Sequence, residues 1–136
     1  MHFLEQLFLY LILLGAFLVI DLTWLGVLAK NFYRDQLGNM MADSVNWWAG
    51  VIFYLLFVVG LLVFVVNPAI AKESVGWCIG IGFFFGVITY STYDLTNLST
   101  LKDWPLKVTV VDLIWGGVLS ASVSIVGFIV SRLLWG

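Results

Sequence analysis

The chain has 136 residues, of which 62% are hydrophobic and only 10% charged, and its formal net charge is −2. A soluble domain is about half apolar and about a quarter charged, and no soluble fold of this length hides so much apolar surface, so lipid must cover it. Six basic residues without a basic stripe exclude a typical nucleic-acid-binding protein. One cysteine and one histidine exclude disulfides, haem and cysteine- or histidine-rich metal sites within one chain, so we expect no metal and no cofactor.

Four apolar runs follow one another, at about residues 7–29, 47–66, 75–97 and 106–132. Each is close to the roughly 20 residues that cross a bilayer core, and backbone groups in lipid must be satisfied within the segment, so each run is predicted to be a helix. The first run has no Lys or Arg before it and no small-residue cleavage site, so we expect a retained helix rather than a signal peptide. Pro68 and Pro105 are predicted to lie in loops, with the second helix stopping at Asn67-Pro68.

These runs predict an all-α membrane protein, a four-helix antiparallel transmembrane bundle forming a single domain over residues 1–136. The longest loop, residues 30–46, alternates apolar and polar residues, which is typical of a short helix lying in the membrane interface. Four basic residues fall in the first and third loops and two on the opposite side. This bias favours a cytoplasmic position for the first and third loops and an outside position for both termini.

The first and fourth runs contain a repeated segment. Residues 19–29 read VIDLTWLGVLA and residues 110–120 read VVDLIWGGVLS, with seven of eleven positions identical. The two helices run in opposite directions, so Asp21 near the end of one and Asp112 near the start of the other fall on the same side of the membrane. The third helix ends on that side with Asp94. Three carboxylates are therefore predicted to converge in one half of the bilayer.

The stretch TYSTYDLTN adds polar groups, because Tyr90, Asp94 and Asn97 share one helix face at spacings of four and three. An aspartate inside the bilayer is disfavoured by about 2.5–3.5 kcal/mol, so it must be protonated or accept hydrogen bonds. One interpretation is a polar clasp that only fixes helix packing. The other is a ligand or proton pocket. Its predicted residues are Asp21, Trp24, Tyr90, Asp94, Asn97, Asp112 and Trp115.

The D-L-x-W-x-G strings of the first and fourth runs and the Y-D-L-T-N of the third resemble a family of small bacterial membrane proteins catalogued as a domain of unknown function. The resemblance spans essentially the whole chain and implies a multi-pass protein of the bacterial inner membrane. It implies no activity and no catalytic residue. In architecture alone, the chain is also similar to small multidrug-resistance exporters. Those exporters have a Glu in the first helix, whereas this chain has Asp21 there and a second acid, Asp112, in the fourth helix.

Three functional hypotheses follow. The first is a proton-linked carrier or binder of a small amphipathic or cationic molecule, because carboxylates beside aromatic faces suit an organic cation. Alternating access needs more than four helices, so a homodimer is expected. The second is a lipid-modifying membrane enzyme in which Asp94, Tyr90 and Asn97 perform acid–base chemistry, and whether the protein is an enzyme is left open. The third is an accessory subunit of a membrane complex. Lipid is an expected partner in each, and nucleic acid is not.

Overall fold

The computed structural model describes residues 2–136, and these form an all-α membrane protein. Four of its helices are long and apolar enough to cross a bilayer, and a short fifth helix, α2, lies in the first loop, as the sequence predicts. The boundaries are α1 Phe3–Leu28, α2 Lys30–Leu37, α3 Trp47–Lys72, α4 Val75–Thr100 and α5 Leu106–Trp135.

The second transmembrane helix does not stop at Asn67-Pro68, so the prediction that Pro68 lies in a loop is wrong. Helix α3 widens into a π turn over Leu62–Val66 and then continues to Lys72. The N–H of Asn67 reaches back five residues to the carbonyl of Leu62. This shift in register precedes the proline, whose ring would clash with the preceding turn of a regular helix and which has no N–H to donate. Pro105 does lie outside the helices, directly before α5.

The tightest helix packing joins α4 to α5 through small residues. A methyl group on Gly86 would collide with the backbone carbonyl of Gly116, and one on Gly82 would lie 3.2 Å from Ala121 Cα. The two backbones therefore approach more closely than side chains would allow, which is how small residues favour helix association in membranes. This contact holds the end of α4 against the start of α5, where Asp94 and Asp112 lie.

The apolar core is formed by one stripe of α1 packed against the middle of α3 and α5. Leu9, Leu13 and Phe17, four residues apart, are fully buried in it. Large apolar side chains cover the outer surface as well, with Trp48 82% and Leu56 66% exposed. An outer surface of this kind is expected to contact lipid rather than water.

The first half of α3 packs on α1 and separates from α4, whereas its second half runs close to α4 and α5. Aromatic rings bridge the gap, with the centroids of Phe53 and Phe57 at 6.4 Å and 6.2 Å from that of Tyr90. Because the helices diverge on the side of the first and third loops, a space opens among the ends of the transmembrane helices there.

Candidate functional site

A cavity of about 710 Å³ fills the space where the helices diverge. Helices α1 and α4 contribute their last turns, α3 and α5 their first turns, and the first loop covers it. All of these segments lie on one side of the bundle, the side of the first and third loops. The polar and aromatic side chains that line it are Asp21, Trp24, Lys30, Tyr33, Phe53, Tyr54, Thr89, Tyr90, Tyr93, Asp94, Trp104, Asp112 and Trp115.

The two copies of the repeated segment contact each other beside this cavity. Trp115 of the second copy donates from Nε1 to the Oδ1 atom of Asp21 in the first, at 3.1 Å. Tyr54, whose hydroxyl lies near Asp21, also lines the cavity. Asp21 is therefore buried with an indole donor of its own, which stabilises a carboxylate inside the membrane.

The second aspartate of the repeat is reached through the first loop. Trp24 donates from Nε1 to the hydroxyl oxygen of Tyr33 at 3.0 Å, and that hydroxyl donates to Asp112 Oδ1 at 2.5 Å. Tyr33 belongs to α2 and lies outside the transmembrane helices. Burial raises the pKa of its hydroxyl above the ordinary value, and the hydrogen bond to Asp112 raises the pKa further. Tyr33 therefore keeps its proton and acts as the donor to Asp112.

The third aspartate, Asp94, has no such donor. Its side chain is fully buried, and no N–H group or hydroxyl of residues 2–136 donates to either carboxyl oxygen. The carboxyl of Asp112 lies close to it. Two carboxylates that are buried near each other repel, and this repulsion favours a proton on one of the two groups.

A short relay of hydrogen bonds fixes the backbone beside this pair. The Nε1 atom of the buried Trp104 donates to the hydroxyl oxygen of Thr109 at 3.0 Å, and that hydroxyl donates to the backbone carbonyl of Asp94 at 3.3 Å. The third loop, α4 and α5 are joined in this way. The backbone of Asp94 is thus held by this relay, and Asp94 is one of the residues that line the cavity.

Six of the seven residues predicted for the site line the cavity, and Asn97 does not. Asn97 lies about one turn beyond Asp94, outside the residues that line the cavity. Trp104 of the third loop is a lining residue instead, and its ring packs edge-on against Tyr93 of α4. A shared helix face did not determine which residues of that face reach the cavity.

Sequence reasoning missed Tyr33, Tyr54 and Trp104. Tyr33 lies in a loop whose alternation indicated only an interfacial helix. Trp104 lies in the third loop, for which no buried residue was predicted, yet it is only 8% exposed. Tyr54 lies in a uniformly apolar helix. A phenol in such a helix was the available signal, because a buried tyrosine hydroxyl usually has a hydrogen-bond partner.

The three aspartates do not form a compact metal-binding cluster. Within residues 2–136, no group of three or more His, Cys, Asp or Glu side chains is arranged to hold a metal ion. Lys30, which lines the cavity mouth, forms no ion pair within the described part of the chain. The polar chemistry of the site therefore comes from carboxyl groups, phenols and indole N–H groups.

The fold and the site define a multi-pass α-helical membrane protein with an acidic, aromatic cavity at one end of its bundle. The chain belongs to the family described as "Predicted membrane protein (DUF2177)", whose model matches residues 6–129. It is also similar to the fluoride-specific ion channel FluC of Citrifermentans bemidjiense, with 27% identity over 132 residues, which cover 96% of this chain and 99% of that protein. No solved structure matches the chain.

Proposed function

We propose that the protein is a proton-linked carrier or binder of a small amphipathic cation, which binds in the cavity between the ends of the four transmembrane helices. The observation on which the proposal depends is Asp94. A buried acceptor without a donor is disfavoured in a folded protein, and here no N–H or hydroxyl of residues 2–136 donates to either oxygen of a carboxyl group that belongs to the cavity lining. A ligand with a positively charged N–H group supplies the missing donors.

The charge balance of the site supports a cation. Three carboxyl groups line the cavity, against a single basic side chain at its mouth. When the cavity has no ligand, a proton shared by Asp94 and Asp112 reduces the negative charge. An ammonium group that enters between them replaces this proton, so binding of the ligand and release of the proton are linked.

The remaining surface of the cavity suits the apolar part of such a ligand. Its volume of about 710 Å³ lies within the range of small-molecule sites, about 300–1,000 Å³. Phe53, Tyr90 and Trp115 line it, and aromatic rings attract organic cations. An amphipathic amine thus places its nitrogen at Asp94 and its apolar portion among the rings.

A transport role is supported by the likeness to a protein named as an ion channel, which matches along nearly its whole length. Carrier action requires alternating access, so we propose a homodimer with eight transmembrane helices in the bacterial inner membrane. Uptake by proteoliposomes with an imposed pH gradient tests this part. Uptake that is unchanged in both Asp21→Asn and Asp112→Asn would contradict it.

Binding is tested by calorimetry on the purified protein in detergent, with 2-phenylethylamine as the cationic probe and its neutral N-acetyl derivative as the control. We expect the amine to bind and the amide to bind at least about tenfold more weakly, because only the ammonium forms a charged hydrogen bond. Asp94→Asn should weaken amine binding by a similar factor. Asp43→Asn, an exposed acid in the first loop, is the matched control. Equal binding of amine and amide would refute the proposal.

A second candidate, passage of fluoride, is favoured only by the named relative. The cavity argues against it, because three carboxyl groups repel a small anion unless each carries a proton. A fluoride-selective electrode outside fluoride-loaded proteoliposomes distinguishes the two. Rapid fluoride efflux that persists in Asp94→Asn would favour fluoride passage as the function. Efflux no faster than from fluoride-loaded liposomes without protein would exclude fluoride passage.

A further inference from the structure

The hydroxyl of Tyr33 occupies a position with a specific chemical requirement. It accepts a hydrogen bond from Trp24 Nε1 at 3.0 Å and donates one to Asp112 Oδ1 at 2.5 Å. A group in this position must accept and donate at once. A hydroxyl does both, whereas an ammonium only donates and a carboxylate only accepts.

The repeated segment shows that this hydroxyl is an addition to an otherwise matched arrangement. The tryptophan of the second copy, Trp115, donates directly to the aspartate of the first copy, Asp21. The tryptophan of the first copy, Trp24, reaches the aspartate of the second copy, Asp112, only through the Tyr33 hydroxyl. The first loop thus inserts an oxygen atom between two groups that are paired directly in the equivalent half of the site.

The segment that brings this hydroxyl is bounded by two irregular points of the backbone. A π turn, Trp24–Leu28, precedes α2, and Gly38, with φ of 53°, follows it. Such turns and positive-φ glycines are positions where a chain can change direction. Apart from the two hydrogen bonds of Tyr33, no side-chain hydrogen bond within residues 2–136 joins α2 to a transmembrane helix.

We infer that Tyr33 is a built-in occupant of a hydroxyl-binding subsite, and that the ligand of the cavity is an amphipathic amino alcohol whose hydroxyl takes its place. This inference rests on the proposed function, since it adds a second polar group to the cationic ligand. The ligand hydroxyl accepts from Trp24 and donates to Asp112, and its ammonium donates to Asp94. Displacement of Tyr33 releases α2 from the cavity mouth.

The contact between the two carboxyl groups limits the ligand further. The carboxyl groups of Asp94 and Asp112 lie close together in the lining of the same cavity. The ammonium and the hydroxyl must therefore be close together in the ligand, which is the arrangement of an amine and an alcohol on adjacent carbon atoms. The apolar substituent is then accommodated by the aromatic lining residues, which include Phe53 and Tyr90.

The test compares two probes that differ by one hydroxyl, 2-amino-1-phenylethanol and 2-phenylethylamine, by calorimetry on the full-length protein. We expect the amino alcohol to bind about tenfold more tightly, as for one additional hydrogen bond to a charged group. If neither amine binds, the proposed function fails. If both bind with equal affinity, the proposed function stands and the hydroxyl subsite is refuted.

Two variants locate the effect, and each is judged by the ratio of the two affinities, because any general loosening of the cavity affects both probes. Trp24→Phe keeps an aromatic ring but removes the N–H, so the preference for the amino alcohol should disappear. Tyr33→Phe removes the competing hydroxyl, so the preference should increase. A preference that is unchanged in both variants would place the ligand hydroxyl elsewhere and overturn the inference.

Discussion

The indole rings of Trp24 and Trp115 stack with their centroids 4.4 Å apart and their planes inclined by 10°. Each belongs to one copy of the repeated segment, and each Nε1 atom points to the half of the site that contains the other copy's aspartate. The stack therefore joins α1 to α5 at the depth of the buried acids. In this arrangement each indole N–H also donates a hydrogen bond, from Trp24 to Tyr33 and from Trp115 to Asp21.

Replacing Trp115 by Phe tests the importance of the hydrogen bond to Asp21. The stacked ring is retained, but Asp21 loses a donor while remaining only 5% exposed. We expect destabilisation of about 1–3 kcal/mol, the usual effect of leaving a buried polar group with too few partners. Thermal unfolding in detergent measures it. Trp47→Phe, at a 65% exposed position, is the control and should change stability little.

Gly86→Ala tests the close contact between α4 and α5. The added methyl group meets the backbone of Gly116, which cannot move away as a flexible side chain could. We expect a loss of about 1–3 kcal/mol, as for other overpacked interiors. Gly80→Ala lies on the same helix, where nothing is within 4 Å of the added atom, and should be neutral or slightly stabilising. Equal effects of the two changes would show that this packing is unimportant.

The exchange of a proton for the ligand predicts a specific calorimetric signature. When an ammonium replaces the proton shared by Asp94 and Asp112, that proton passes to the buffer. The observed enthalpy of 2-phenylethylamine binding should then vary with the ionisation enthalpy of the buffer, with a slope that indicates proton release. A binding enthalpy that is the same in all buffers would show that ligand binding releases no proton, and it would contradict the proposed exchange at the carboxyl pair.

Tyr33→Phe should loosen α2, because it removes both hydrogen bonds that join this helix to α1 and α5. Trypsin has two target residues on α2, Lys30 and Arg34, and its access reports local opening. We expect faster cleavage in Tyr33→Phe than in the wild-type protein. Asn31→Ala, an exposed position on the same helix, should cleave at the wild-type rate. Identical rates in all three proteins would show that other contacts retain α2.

Labelling with a membrane-impermeant maleimide tests the orientation. Cys78 is fully buried and should not react, so cysteines introduced as Asp43→Cys and Glu73→Cys report on their own loops. From the distribution of basic residues, we expect Glu73→Cys to react in intact cells and Asp43→Cys to react only in inverted vesicles. The reverse pattern would place the cavity mouth outside.

The number, direction and approximate extent of the transmembrane helices could be predicted from the sequence. Hydrocarbon requires apolar side chains and backbone hydrogen bonds made within the segment, and both requirements apply along the whole length of a spanning helix. Helix directions were also sufficient to place Asp21, Asp94 and Asp112 in the same half of the bilayer. The continuation of α3 through Pro68 could not be predicted, because a π turn depends on local backbone adjustment that residue types do not specify.

The remaining properties of the site were decided by tertiary structure. Sequence alone identified the matched Asp and Trp residues but not their hydrogen bonds. Trp115 bonds directly to Asp21, whereas the Tyr33 hydroxyl lies between Trp24 and Asp112. It also did not distinguish Asp94, which has no donor, from two aspartates that have them. Helical periodicity gives the helix face on which a residue lies. The hydrogen-bond partners of that residue depend on the distance between neighbouring helices and on the position of the loops. Those distances arise only when the four helices and the first loop pack together.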